Sequence, residues 1–456
     1  MQGLLNLNFK SFGLAPPLLK QLDKQGFNEP TPIQLKSIPV ILNKKDMIGL
    51  SQTGTGKTAA FVLPLISLLY VKEQNKDLRH VKILIISPTR ELAQQIGEVT
   101  KSYASATNLK SSVLVGGVSI LKQFEALKKG ADIIIGTPGR IEDHIKKRTI
   151  DLRKINFVVL DEADQMLDIG FLPSIKRILN NTPTERQTLL FSATMPEGIK
   201  KLISQFMNKA VEISVSNSSK PIEKIRQKVI ILDNNSKINA LRKILIDRNQ
   251  ARILVFTRTK HGADKIVKIL SKDGVFISSI HSNKSQNQRE KALSNFKKGS
   301  YPVLIATDIA ARGIDVKNVE VVINFDLPES PELYIHRIGR TARAGASGDA
   351  ISFCSEDELK KLKIIEKLIK SNIDAFNYDG TPFINSFSKT NESLSKVFPN
   401  KGNKRNKNSN YNQKKVMNKL KLKKGLSTGG TFTHNLLVFR AAIRVGRFGF
   451  GFGLAV

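Results

Sequence analysis

The chain has one cysteine, no tryptophan and six histidines, and its 39 acidic residues are far outnumbered by 73 Lys and Arg in 456 residues. A single cysteine, Cys354, excludes a disulfide framework and any zinc or iron–sulfur site built on cysteines, and it fits a reducing compartment. It stands in an apolar run, Ala350–Cys354, and reads as a core residue. No two histidines lie four apart and none has a neighbouring cysteine, so a histidine-built metal centre is not expected. No window of 18 apolar residues exists, so no membrane-crossing helix is expected. The early apolar stretches are broken by Lys10, Lys20 and Asp23, so no secretory leader is expected and a cytoplasmic location is.

The excess of base amounts to a formal charge of +34, which calls for a polyanionic partner: nucleic acid first, an anionic membrane surface second. Apolar residues at 40% suffice for two or three domains of this length.

Residues 51–58 read Ser-Gln-Thr-Gly-Thr-Gly-Lys-Thr before an apolar, helix-like run, Ala59 to Leu69. Gly54 and Gly56 permit a tight turn that presents N–H groups to phosphate oxygens. Thr53 and Thr55 lie in that turn, Lys57 can neutralise β/γ-phosphate charge, and the Thr58 hydroxyl can ligate Mg²⁺. The strict pattern asks for Gly where Ser51 stands. About a hundred residues on, Asp161-Glu162-Ala163-Asp164 follows an apolar run, Phe157–Leu160. Adjacent carboxylates at a strand end can divide the work, one holding a metal and one activating water. An acidic helix start is the plainer reading of the same residues.

Other short apolar runs also end in polar clusters: Val81–Ile86 before Ser-Pro-Thr-Arg, Ile133–Ile135 before Gly-Thr-Pro-Gly-Arg, and Thr188–Phe191 before Ser-Ala-Thr. Helix-like segments separate them. This predicts an α/β fold with a parallel sheet covered on both faces and ligand groups at the carboxyl ends of the strands. Ser214–Pro221 reads as a linker, after which a second set follows: Ile253–Phe256, Val275–Ser278, Val303–Ile305, Val319–Asn324 and Ala350–Phe353. The expected division is a first domain over 1–213, a linker over 214–222, a second domain over 223–372 and a basic tail over 373–456. Residues 397–456 hold 13 Lys or Arg and no acid, and the Asn/Lys-rich Lys401–Lys424 is expected to be disordered. The Phe/Gly-rich end, Leu436–Val456, has no firm reading; a membrane-surface helix is disfavoured by its glycines.

Taken together, the motifs resemble those of the DEAD-box ATP-dependent RNA helicases, nearest to the bacterial RhlE type, over residues 9 to about 370. The resemblance implies two RecA-like domains, ATP and Mg²⁺ as cofactors, and RNA as partner. Gly26–Gln34 is similar to the family's Q motif: Gln34 would read adenine, Phe27 would stack on it and Phe9 would support the motif. Read alone, the segment is a Pro-rich turn before a helix. The family pattern gives Asp161 and Thr58 to the metal, Glu162 to the water, and Asp164 to bonds with Ser192 and Thr194 that couple hydrolysis to domain motion. His336–Gly345 resembles the last motif, with Arg340 and Arg343 as arginine fingers; three apart, they would share a helix face. Ala342 there replaces the commoner Gly, a small-for-small change. Ala306–Asp315 resembles motif V, which assigns Thr307 to RNA and Asp315 to the ATP ribose. The implied RNA contacts are Pro88, Thr89, Arg90, Gly117, Thr137 and Arg140 in the first domain, with Arg289 and Thr307 in the second. Such groups hold phosphates and read no sequence. With aromatics at 6%, binding is expected through the backbone rather than by base stacking.

Two rival functions stay open at this level: a DNA helicase of the same superfamily, and a non-catalytic RNA chaperone acting through its tail. The RNA substrate and any ribosomal or RNA-degradation partner are not identifiable from these motifs.

Overall fold

The computed structural model describes residues 8–51, 54–72, 80–215, 225–248, 251–311, 319–342 and 347–383. These form two lobes, each around a seven-stranded, all-parallel sheet. The first sheet comprises β1 (Met47–Leu50), β2 (Ile83–Ile86), β3 (Ser111–Leu114), β4 (Ile133–Gly136), β5 (Phe157–Leu160), β6 (Gln187–Ser192) and β7 (Val211–Ser214). The second comprises β8 (Ile225–Ile231), β9 (Ile253–Thr257), β10 (Ile277–Ile280), β11 (Val303–Thr307), β12 (Val321–Asn324), β13 (Gly348–Cys354) and β14 (Asp374–Asn377).

The strand orders are β3-β4-β2-β5-β6-β1-β7 and β10-β11-β9-β12-β13-β8-β14. Counted from the start of each lobe, these are the same order, so the chain repeats one topology twice. The second copy carries no Gly-Lys-Thr turn after its first strand.

Both faces of each sheet are buried, because alternate side chains of a strand feed opposite cores. Ile83 and Ile85 of β2 join one cluster with Phe61, Phe191 and Ile33, while Leu84 and Ile86 join another with Ile134, Met166 and Ile178. Ile253 and Val255 of β9 likewise face one core and Leu254 and Phe256 the other. Strands buried on both sides are apolar throughout, which is why the central ones stand out as unbroken runs.

The second lobe extends past residue 372. β14 pairs with β8 from Asp374 to Asn377, and Phe383 packs against the lobe's core, so the expected boundary falls about ten residues short. At the other boundary Ser214 belongs to β7, and most of the expected linker, together with the tail from residue 384, lies outside the described residues. Among the described residues no helix is long and apolar enough to cross a membrane.

Candidate nucleotide and RNA site

In a parallel sheet the carboxyl ends of all strands lie on one side, so strand order decides which loops become neighbours. In the first lobe β5, β6 and β1 are adjacent, which gathers Asp161–Asp164, Ser192–Thr194, Ser51 and Gly54–Thr58. β3, β4 and β2 are adjacent in the other half of the sheet, which gathers Gly116-Gly117, Thr137–Arg140 and Pro88–Arg90.

The first group includes a turn that can present N–H groups to phosphate oxygens. Gly54 and Gly56 take φ of 82° and 92°, a region that costs an L side chain dearly. Lys57 opens the helix Lys57–Lys72, is buried, and its Nζ donates to the Ser51 carbonyl at 3.3 Å. Ser51 tolerates its side chain: its hydroxyl accepts from the Thr55 hydroxyl at 3.3 Å, and its N–H donates to Ser192 at 3.0 Å. Ser51 has no positive φ, so glycine is not required there. Thr58 is half-buried on the first turn of the same helix.

Asp161, Glu162 and Asp164 are all buried. Burial pushes the Asp161 carboxyl up, against the pull of Lys57. Burial also pushes Glu162 up to about 7, with Lys57 and Arg340 opposing and Asp161 adding to the rise. Among the described residues Glu162 Oε2 has no hydrogen-bond partner, and Glu162 holds φ of 54° at the N-cap of the helix Ala163–Asp168. A strained backbone, an unpartnered oxygen and a desolvated carboxylate in one residue mark a group arranged for chemistry rather than for stability. Asp164 is fully engaged: Oδ2 accepts from the Ala193 and Thr194 N–H groups at 3.1 and 2.9 Å and from the Thr194 hydroxyl at 3.0 Å. Its N–H donates to the Ser192 hydroxyl at 3.2 Å, and that hydroxyl donates to the Thr194 carbonyl at 2.7 Å.

Gln34 has two internal partners. Its Nε2 donates to the Gly56 carbonyl at 3.1 Å, and its Oε1 accepts from the Thr31 N–H at 2.9 Å in a capping box. One N–H and one lone pair of the amide remain for a base edge. Phe27 is 53% exposed and offers a free ring face; Phe9 is buried against Phe12, with ring centroids 6.4 Å apart.

Arg340 of the second lobe is buried and acts on Glu162 of the first. Gln165, Asp308, Arg337 and Arg340 line one cavity of about 20 Å³ between the lobes. Arg340 does not lie on a helix face, contrary to the expectation from the sequence. The helix Pro331–Ile338 ends before it, with Gly339 as C-cap, so Arg340 sits in the turn beyond. Ala342 takes φ of 52°, so the alanine is not a neutral replacement for glycine: it carries left-handed strain. Arg343, Asp315 and Thr53 lie outside the described residues.

Arg337 is a site residue that sequence reasoning passed over. Wholly buried, it makes paired bonds to Asp308 at 2.6 and 2.8 Å, donates to Asn324 and the Asp326 carbonyl, and lies 5.1 Å over the Phe256 ring. It ties the short helix Asp308–Ala311, which follows Thr307 at the end of β11, to the turn that carries Arg340.

In the second group Thr89 caps the helix Arg90–Ala104, its hydroxyl accepting from the Leu92 N–H at 3.3 Å. Pro88 is buried beside it. Gly117 has φ of 79°, a region that favours glycine, and a Cβ there would displace the end of the Arg90 side chain. Thr137 is the N-cap of the helix Pro138–Lys146, which carries Arg140. Burial lowers the Arg90 pKa, and Arg289 and Arg140 lower it further, so three guanidinium groups share one region. Arg289 reaches across from the second lobe to Glu91, at 2.8 Å. Arg90 Nη1 donates to Gln286 at 3.4 Å and Gln94 to Glu290 at 2.9 Å, two further bonds between lobes. Glu91 stands in Pro-Thr-Arg-Glu-Leu, but no local signal says that an acid there will find an arginine about 200 residues away.

A family model described as DEAD/DEAH box helicase matches residues 31–202, and one described as Helicase conserved C-terminal domain matches 236–345. The chain is 42% identical over 370 residues to the DEAD-box ATP-dependent RNA helicase CshA of Bacillus subtilis, covering 81% of this chain and 74% of that one. It is 41% identical over 366 residues to CshA of Geobacillus kaustophilus, covering 80% and 77%. These relatives carry the CshA designation rather than the RhlE one suggested by the motifs. Among solved structures, S. cerevisiae Dbp5 bound to RNA and ADP BeF3 matches with a TM-score of 0.72 at 30% identity, over 85% of this chain and 99% of that one. Mss116p bound to ssRNA and AMP-PNP matches with a TM-score of 0.73 at 30% identity, over 86% and 82%. With both family models matched in order and the doubled sheet bringing their motifs together, the chain belongs to the DEAD-box ATP-dependent RNA helicase family.

Proposed function

We propose that the chain is an ATP-dependent RNA helicase that closes its two lobes on ATP and RNA together and separates short duplexes or remodels RNA–protein complexes locally. The observation that carries this reading is Glu162: a buried carboxylate with an unpartnered oxygen, between Lys57 of its own lobe and Arg340 of the other. Relatives of this architecture have been captured with RNA and nucleotide analogues, as their descriptions state.

In this mechanism the Gly54–Gly56 turn cradles the phosphates, and Lys57 offsets their charge. Phe27 stacks on adenine and Gln34 bonds to its edge, while its tie to Gly56 carries base recognition to the phosphate turn. Asp315 takes the ribose. Glu162 orients the attacking water and accepts its proton; with a pKa near 7 the carboxylate can do so at neutral pH. Arg340 and Arg343 stabilise charge on the transferring phosphoryl group once the lobes have closed. Asp164, through Ser192 and Thr194, passes the change at the acidic motif to the loop after β6.

The buried carboxylates fit Mg²⁺, since a divalent cation relieves the desolvation that pushes them toward protonation; Thr58 and Asp161 would hold it. When bound, the ion supplies charge neutralisation on the β/γ-phosphates. Among the described residues no cluster of three His, Cys, Asp or Glu is arranged to hold a metal alone, which suits an ion that shares its shell with phosphates and water.

Pro88, Thr89, Arg90, Gly117, Thr137, Arg140, Arg289 and Thr307 hold the RNA backbone. A cytoplasmic location is proposed with this reading, on the cysteine argument above. The test is ATP hydrolysis by the full chain with RNA or single-stranded DNA as activator. Stimulation by RNA, abolished in Glu162→Gln with ATP and RNA binding retained, is expected. Equal stimulation by DNA would turn the reading to a DNA helicase, and wild-type rates in Glu162→Gln would end the assignment of Glu162.

A further inference from the structure

His144 has no place in the mechanism above, yet it is wholly buried and fully bonded. We propose that His144 and Gln123 are positioning residues for Arg140, aiming its guanidinium at the RNA backbone and holding the Gly116-Gly117 turn beside it. The proposal rests on the reading of Arg140 as a phosphate contact.

The geometry defines each proton. Gln123, on the helix Ile120–Lys128, donates through Nε2 to the Val115 carbonyl at 2.9 Å, which fixes the amide's orientation. Its Oε1 then meets Arg140 Nη1 at 3.0 Å and His144 Nε2 at 3.1 Å. An amide oxygen only accepts, so His144 Nε2 carries the hydrogen that meets it. Nδ1 faces the Thr149 hydroxyl at 2.7 Å, in the turn after the helix. Burial, and then the charge of Arg140, lower the His144 pKa, consistent with a neutral ring.

Arg140 and His144 are four residues apart on one helix, so both reach the same Gln123 oxygen. Arg140 Nη1 is used up by that oxygen and by the Val118 carbonyl at 2.9 Å, and Nε lies 3.6 Å from Asp143. Nη2 makes no bond among the described residues and is the edge left for an anion. Gln123 thus spans two things at once: through Val115 the strand end leading into Gly116-Gly117, and through Oε1 the arginine. His144 supplies the second donor that keeps this oxygen in place.

The test is ATPase activity of the full chain against concentration of a mixed-sequence single-stranded RNA, with thermal melts of every variant. His144→Leu and Gln123→Met should each raise the half-saturating RNA concentration about five- to tenfold, the worth of one net hydrogen bond. Turnover at saturating RNA should stay within about twofold. His144→Gln, which keeps an N–H donor near the position of Nε2, should recover most of the loss, and His144→Leu should add little in an Arg140→Ala background. Equal losses in His144→Leu and His144→Gln would mean packing alone and would overturn the proposal. So would Gln123→Met with native RNA half-saturation, while a shift in Arg140→Ala alone would leave the RNA reading standing. If Arg140→Ala itself leaves half-saturation unchanged, the RNA role of Arg140 fails and the proposal with it.

Discussion

Glu162→Gln should make the ligand-free protein more stable as it destroys turnover, and the gain should depend on pH. The Glu162 carboxyl is raised from 4.5 to about 7, chiefly by burial. An acid with a raised pKa binds more protons folded than unfolded, so its contribution to stability is fully present below about pH 4.5 and is lost as pH climbs through about 7. At about 1.36 kcal/mol per pKa unit, the whole loss is about 3 kcal/mol. Linkage puts about 1 kcal/mol of it at pH 5 and nearly all of it by pH 8. Glutamine keeps the shape and never ionises, so the variant escapes the loss; groups remote from Glu162 cancel in the difference, and Asp161, relieved of its neighbour's charge, shifts it in the same direction. For a lobe of this size about 3 kcal/mol is about 6–12 °C in Tm. Thermal unfolding of both proteins without nucleotide, at pH 5 to 8, measures it: the gap should widen with pH in favour of the variant. A gap that does not change with pH, or a variant less stable at pH 8, refutes the reasoning, because Glu162 would then be neither desolvated nor uncompensated in the free enzyme.

Arg340→Ala should lower kcat by about 10³-fold or more with little change in ATP affinity, since an arginine finger acts on transition-state charge; collapse of ATP affinity at normal kcat would make it a ground-state binder. Ala342→Gly should raise stability by about 1 kcal/mol by relieving left-handed strain at φ of 52°, read as a Tm shift of the second lobe; an unchanged Tm would mean that the strain is not felt. ATP should be hydrolysed in strong preference to GTP, because an amide held by Thr31 and Gly56 cannot turn to suit the other base edge; equal use of both would remove Gln34 from base recognition. Truncation after residue 396 removes 13 positive charges and should weaken RNA binding and flatten its salt dependence, by about 0.7 in log–log slope for each phosphate no longer neutralised; identical slopes would show that the tail does not touch RNA.

The candidate site was legible where its residues are close in sequence: Gly54, Gly56 and Lys57 fall within one turn and Asp161 and Glu162 are adjacent, so spacing alone singles them out for the roles proposed above. The central strands β2, β4, β5, β9 and β11 were legible because burial on both faces makes them apolar throughout. Edge and half-covered strands were less so: β10, at an edge, falls two residues after the expected run, and four others did not stand out. β3 reads Ser-Ser-Val-Leu, β7 is mostly exposed, and β8 alternates buried with open positions. β14 has no fully buried residue and so leaves no apolar run in the sequence, which is why the expected domain boundary falls too early.

By itself the sequence determined two parallel sheets covered by helices, and it singled out the groups proposed above for phosphate, water and RNA. Only tertiary structure decided how those groups meet. The order β3-β4-β2-β5-β6-β1-β7 separates the half that carries Ser51, Asp161 and Ser192 from the half that carries Pro88, Gly116 and Thr137, and strand order is set by packing between segments far apart in the chain. The same long-range packing pairs Glu91 with Arg289, ties Gln34 to Gly56, and leaves Ala342 in a left-handed turn just past the end of its helix. Local propensity carries no record of such pairings, because their free energy exists only once both partners have been brought together.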